Sequence, residues 1–168
     1  RLAAAVDAAR DCGFAAVSSN DHLVFQRPWL DGPTALAGVI ERSGEMTLAT
    51  TVALSTLRGP VALSKALAAI DLLSGGRLIA ALGPGSSQRD HDLVGLDFED
   101  RWNQFEESVV VLRALLERKP PPQDARHYPL PPDPELTPGP AHRVPLWIGS
   151  WGSKAGLARV KRVADGWL

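Results

Sequence analysis

A chain of 168 residues with 45% hydrophobic and 22% charged side chains can bury a sizeable core and has the composition of an ordinary globular domain. Its formal net charge of −1 excludes a whole-chain field for nucleic acid or an anionic membrane, and no window has the apolar length of a membrane span. Cys12 is the sole cysteine, so no internal disulfide forms and a reducing cytoplasm is the expected compartment.

Leu2, Val6 and Ala9 recur at helical spacing, with Gly13 placed as a C-cap. Phe14 to Ser18 is an apolar run of strand length. Residues 33 to 43 read as a second helix, with Pro33 near its start and Leu36, Val39 and Ile40 on one face. Thr47 to Leu54 is β-branched and apolar nearly throughout, as a strand buried on both sides requires. Pro60 then sits where a first helical residue tolerates proline, and Val61, Leu63, Leu67, Ile70 and Leu73 are expected to pack a third helix. Ser74-Gly75-Gly76 ends it, and Arg77 to Leu82 reads as the next strand.

Phe98, Trp102, Phe105, Val109, Leu112 and Leu116 alternate steps of four and three, which predicts a long helix with one buried face. Trp102 and Phe105 are thereby expected in the core, and Glu106-Glu107 on the solvated side. Residues 119 to 145 hold ten of the 14 prolines and no apolar period, so an irregular insertion is expected there. Leu146 to Gly149 resumes a strand, and Lys154 to Ala164 carries Leu157, Val160 and Val163 on a last helix. Both ends read as cut from a longer protein, since Asp165-Gly166-Trp167-Leu168 looks like the beginning of another strand.

Helices alternating with short apolar strands predict a parallel sheet with right-handed crossovers, either a doubly wound open sheet or a (β/α)8 barrel. A full barrel takes about 250 residues. On the barrel reading, residues 1–168 form a single partial domain.

In such folds functional groups collect at the carboxyl ends of strands. The first of these loops contains Asp21-His22, which suits proton transfer near neutral pH or, equally, a capped turn with a polar loop residue. The second follows the stiff strand 47–54. The third, Leu82-Gly83-Pro84-Gly85-Ser86-Ser87, allows close backbone approach to a ligand but matches neither the Walker pattern nor the dinucleotide fingerprint. The fourth, Gly149 to Lys154, brings small residues to a helix start near Ser153, which is either a phosphate site or a plain capped helix. Trp29, in a polar loop, is a candidate wall for a ring-binding pocket. No His/Cys cluster has metal-ligand spacing, so no metal site is expected, and the absence of Gly-x-Ser-x-Gly counts against an α/β-hydrolase.

Several stretches in order resemble the luciferase-like monooxygenase family of flavin- and deazaflavin-dependent oxidoreductases. They are Ala8 to Phe14, Asp21-His22, Leu48 to Val52, Arg58-Gly59-Pro60, Asp71 to Leu78, the turn 83–85, Arg101, Pro145 to Gly149 and Asp165-Gly166-Trp167. The resemblance implies a TIM barrel of that type, present here as about strands 2 to 5 and the start of 6, binding FMN or coenzyme F420, the deazaflavin, at its carboxyl face. It implies that Asp21 contacts the cofactor ring and that the catalytic His22 lies beside its reactive edge. Thr51-Val52 matches a bulge where relatives carry a non-proline cis peptide. Gly83, Gly85 and Ser86 would line the pocket, Ser150, Gly152 and Ser153 would hold the cofactor phosphate, and Trp29 lies near a tryptophan of some deazaflavin enzymes.

The family's chemistry is oxidoreduction of a small organic substrate, by hydride transfer with deazaflavin or by oxygen activation with FMN. NAD(P)H or a flavin reductase would serve as electron source, and a homodimer as assembly. Ser86-Ser87-Gln88 departs from the relatives that place a glutamate just after the glycine turn. A non-catalytic partner subunit or truncated barrel fragment is the second reading, and a non-redox phosphate-binding barrel the third.

Overall fold

The computed structural model describes residues 1–168. In chain order its elements are α1 (Leu2–Asp11), β1 (Ala16–Ser19), α2 (Gly32–Ala37), β2 (Thr47–Leu54), α3 (Ser55–Arg58) and α4 (Pro60–Ser74). They continue with β3 (Leu78–Gly83), α5 (Gln88–Val94), α6 (Arg101–Leu116), β4 (Leu146–Ile148), α7 (Lys154–Val163) and β5 (Gly166–Trp167).

The five strands pair parallel throughout, in the order β1-β2-β3-β4-β5. That order decides between the two architectures left open by periodicity. A doubly wound sheet reverses its strand order at a switch point, whereas a (β/α)8 barrel adds each strand beside the last. With right-handed crossovers and no reversal, successive connections fall on one face of the sheet. The chain is an arc of a barrel.

Leu48, Leu78, Ala80, Leu82, Leu146 and Ile148 project from the outer face of the sheet into one cluster with Leu36, Leu63, Leu67, Ile70, Phe105, Val109 and Leu112. The opposite face carries Thr47, Ala49 and Thr51 of β2, Ile79 of β3 and Trp147 of β4, and on β1 its Ala16 and Ser18 are exposed. No helix is long and apolar enough to cross a membrane.

Local chemistry accounts for most boundaries. Helix α4 starts on Pro60 and ends where Gly75 turns left-handed (φ 69°), its amide bonded back to Leu72 O and that of Gly76 to Asp71 O. The second helix stops at Ala37 rather than residue 43. After Gly38 the chain tightens, the amides of Val39 and Ile40 reaching back only three residues, to Leu36 O and Ala37 O. Arg77 collects the stranded acceptors, donating to Ile40 O, Ser43 Oγ and Met46 O. Leu36, Val39 and Ile40 are nonetheless buried, as their spacing implied.

Three expectations change. On α4 the packing face is Leu63, Leu67 and Ile70, while Val61 and Leu73 point outward. Phe98 precedes α6 instead of opening its stripe; its ring lies under the Arg101 guanidinium and against His91. Glu106 and Glu107 are not simply solvated. Glu106 pairs with Arg159 and Arg162 of α7 at 2.7 and 2.5 Å, and Glu107 accepts the amides of Arg126, His127 and Tyr128 at 2.6–2.9 Å.

Residues 117–145 contain no helix or strand, consistent with their proline content. Glu107 supplies acceptors that a proline-rich segment cannot arrange for itself. Tyr128 Oη adds a bond to Thr56 O at 3.1 Å, and Asp71 Oδ2 accepts the amides of Ala141 and His142.

Candidate functional site

Because every strand is parallel, the loops after β1, β2, β3 and β4 open on one rim of the sheet. The loop after β1 is organised by Asp21. Its side chain is 1% exposed and its two oxygens accept from Arg58 Nε (2.6 Å) and Nη2 (2.5 Å), from the amide of Leu54 (3.1 Å) and from the amide of Gly32 (3.4 Å). Arg58 also reaches Asp31, the N-cap of α2, whose other oxygen accepts the Thr34 amide. The hydrogen bond to Asp21 holds the Arg58 guanidinium still more firmly protonated than usual.

The carboxylate next to His22 in sequence is not its hydrogen-bond partner. Asp21 is buried as the tie between β1, the end of β2 and α2, its two oxygens taken by Arg58 and by the amides of Leu54 and Gly32.

His22 finds its carboxylate elsewhere. Nδ1 lies 3.2 Å from Asp90 Oδ2, and Asp90 Oδ1 accepts the Val24 amide at 2.9 Å. The His22 side chain is 17% exposed and packs against Phe25 (centroids 4.7 Å) and the edge of Trp29 (5.9 Å). Trp29 in turn packs against Phe25 at 4.9 Å, tilted by 58°, and donates Nε1 to Asn20 O, which places it beside the histidine.

Asp90 and Phe25 are the residues that sequence reasoning passed over. Asp90 lies on α5, a polar helix with no apolar stripe. Its signal was the capping pattern Ser87-x-x-Asp90: Ser87 is the N-cap and its hydroxyl accepts the Asp90 amide at 3.2 Å.

At the end of β2 the Thr51–Val52 peptide is cis, and the register with β3 shifts between Thr51 and Ala53. Thr51 Oγ1 bonds Ser18 Oγ at 3.1 Å on the face away from the helices. Val52 is clasped by two glycines. A Cβ on Gly83 would stand 2.6 Å from Val52 Cγ2, and one on Gly149 would stand 2.7 Å from Val52 Cγ1. The ends of β2, β3 and β4 are thus keyed together through one side chain. Gly85 has φ 86° and lies over His91, while Ser86 is exposed on the turn.

Beyond β4, Ser153 is the N-cap of α7 and accepts the Gly156 amide at 3.1 Å. The Ser150 hydroxyl sits directly over Gly156, where any Cβ would collide with it. Gly152 has φ 75°, and the Ser150 carbonyl accepts Trp167 Nε1 at 2.8 Å. The first-turn amides of Lys154 and Ala155 have no partner within the chain. Two N–H groups without a partner in the chain, a helix dipole and a serine hydroxyl are donors of the kind a phosphate accepts. The donor set fits the phosphate of a flavin-type cofactor.

A model of the luciferase-like monooxygenase family matches residues 1–168. The chain is 30% identical to an F420-dependent glucose-6-phosphate dehydrogenase of Amycolatopsis mediterranei, over 64% of this chain and 34% of that protein. It is also 30% identical to a Mycobacterium tuberculosis protein named as a coenzyme F420-dependent oxidoreductase, over 97% of this chain and 49% of that protein. Among solved structures, the monooxygenase RslO1 of Streptomyces bottropensis superposes with a TM-score of 0.87 at 20% identity, covering 96% of this chain and 50% of that one. That likeness concerns the fold, and the chain spans half or less of the length of each of these proteins.

Proposed function

Since the chain belongs to the luciferase-like monooxygenase family, we propose that it is the cofactor-binding part of an oxidoreductase that moves a hydride between a small organic substrate and coenzyme F420. The observation that carries this reading is His22, a part-exposed imidazole on the carboxyl rim, walled by Phe25 and Trp29. The names of the two curated relatives favour the deazaflavin over FMN.

When bound, the cofactor supplies the electron chemistry, and the protein supplies orientation, electrostatics and exclusion of water. Ser150, Gly152, Ser153 and the free amides of Lys154 and Ala155 hold the phosphate. Thr51, Val52, Gly83, Gly85 and Ser86 line the ring's side of the rim. His22 holds or moves the substrate proton, and Trp29 with Phe25 shields it from solvent. Asp21 organises the loop behind them.

Titrating the intrinsic tryptophan fluorescence with F420 and with FMN tests the reading. Saturable quenching by F420 is the expected result. Preference for FMN would move the chemistry to oxygen activation, and binding of neither would support a partner subunit or fragment without turnover of its own. His22→Ala should keep F420 affinity while lowering kcat about 100- to 10,000-fold. Unchanged turnover would remove the proton-transfer role.

A further inference from the structure

We propose that Asp90 is a positioning residue that selects the tautomer of His22, fixing the proton on Nδ1 and leaving Nε2 as the proton-accepting nitrogen. The tautomer follows from hydrogen-bond accounting, and only its catalytic use rests on the hydride-transfer reading above.

The Asp90 side chain is 1% exposed and has two contacts with the β1 loop. Oδ1 accepts from the Val24 amide at 2.9 Å, a group that can only donate. Oδ2 faces His22 Nδ1 at 3.2 Å. An ionised carboxylate only accepts, so the proton in that bond comes from the imidazole. A neutral imidazole carries one N–H, so with Nδ1 protonated Nε2 bears the lone pair. Nε2 has no hydrogen bond within the chain, and it is not among the buried side-chain atoms that lack a partner, so it reaches solvent at the rim.

The surroundings reinforce the assignment. Phe25 lies 4.7 Å from the imidazole, tilted by 31°, and Trp29 meets it edge-on, so ring rotation that would exchange the two nitrogens is sterically opposed. Asp90 itself is held by the bond from its own amide to Ser87 Oγ at the N-terminus of α5. A carboxylate fixed on a helix and an imidazole fixed by aromatic walls are what a preorganised proton acceptor needs.

The test is a two-bond proton–nitrogen NMR correlation on the full chain at about pH 9, well above the ordinary imidazole range near 6.5. The His22 signals are identified by their loss in His22→Gln. The wild-type spectrum should show His22 protonated at Nδ1. In Asp90→Asn the side-chain carbonyl must keep the Val24 amide, which turns the NH2 toward Nδ1 and moves the proton to Nε2. A wild-type His22 found as the Nε2–H form, or averaged between tautomers, overturns the proposal without recourse to any variant, and so does an Asp90→Asn spectrum identical to wild type. A role in merely tying α5 to the β1 loop would shift melting temperature but would not choose the protonated nitrogen. If the chain shows the Nδ1–H form yet binds no F420, the proposed function fails and the Asp90 assignment stands.

Discussion

Arg58 closes on Asp21 with two guanidinium nitrogens, Nε on Oδ2 at 2.6 Å and Nη2 on Oδ1 at 2.5 Å, across 37 residues of sequence. Asp21 is 1% exposed, and Arg58 is the counter-charge it meets. Removing Arg58 by Arg58→Ala leaves a buried carboxylate without its counter-charge and should cost about 3–5 kcal/mol. Urea unfolding reads the loss directly. Asp21→Asn combined with Arg58→Ala should recover part of it, because the uncompensated charge is then gone.

Val52 fills the space left by two glycines, and this makes a coupled prediction. Gly83→Ala places a methyl 2.6 Å from Val52 Cγ2 and should destabilise by about 1–3 kcal/mol through overpacking. Adding Val52→Ala should restore part of that loss. If the two substitutions prove additive, the contact is not what demands a glycine at that position.

Glu107 holds the proline-rich segment by three backbone amides, those of Arg126, His127 and Tyr128. Glu107→Ala should release these amides, and hydrogen exchange should accelerate there with little change in the strands of the sheet. Equal acceleration in β2 and β3 would show that the segment is integral to the core.

Tyr128 is the sole tyrosine, so the near-ultraviolet phenolate absorbance reports it alone. Burial, with a smaller contribution from the Glu107 charge, pushes its hydroxyl up to about 12 from the usual value near 10. The folded state therefore retains the proton more tightly than the unfolded chain. Its contribution to stability is full below about pH 10 and is lost as the pH rises toward about 12. A midpoint near 10 in the folded protein would place the side chain in water.

The alternation of elements was legible because burial on one face imposes a period on each. Thr47–Leu54 and Pro60–Ser74 emerge with the bounds that their β-branched run and their proline and glycine punctuation predicted. The barrel order was not legible from periodicity, since strand neighbours are decided by crossovers and not by local pattern. At the site, the adjacency of Asp21 and His22 misled, because Arg58 and two backbone amides take up the Asp21 carboxylate. The pair that does form, His22 and Asp90, spans 68 residues, and nothing in the hydrophobic period encodes such a contact. The polar helix α5 carried only capping signals, Ser87 at one end and left-handed Gly95 at the other.

The last strand–helix–strand unit is joined differently from the rest. Strand β4 registers three residues against β3, where β2 and β3 register six. Leu146 and Ile148 join the core cluster with Val160 and Val163 packed against it, and Glu106 with Arg159 and Arg162, and Asp165 with Arg113 and Arg143, complete the attachment. Mobile ions compete with the exposed Arg162 and Arg143, while the largely buried Arg159 and Arg113 pairs and the apolar cluster are screened much less. Added salt therefore weakens the outer arginine pairs of this seam and leaves its apolar contacts to hold the last strand–helix–strand unit in place.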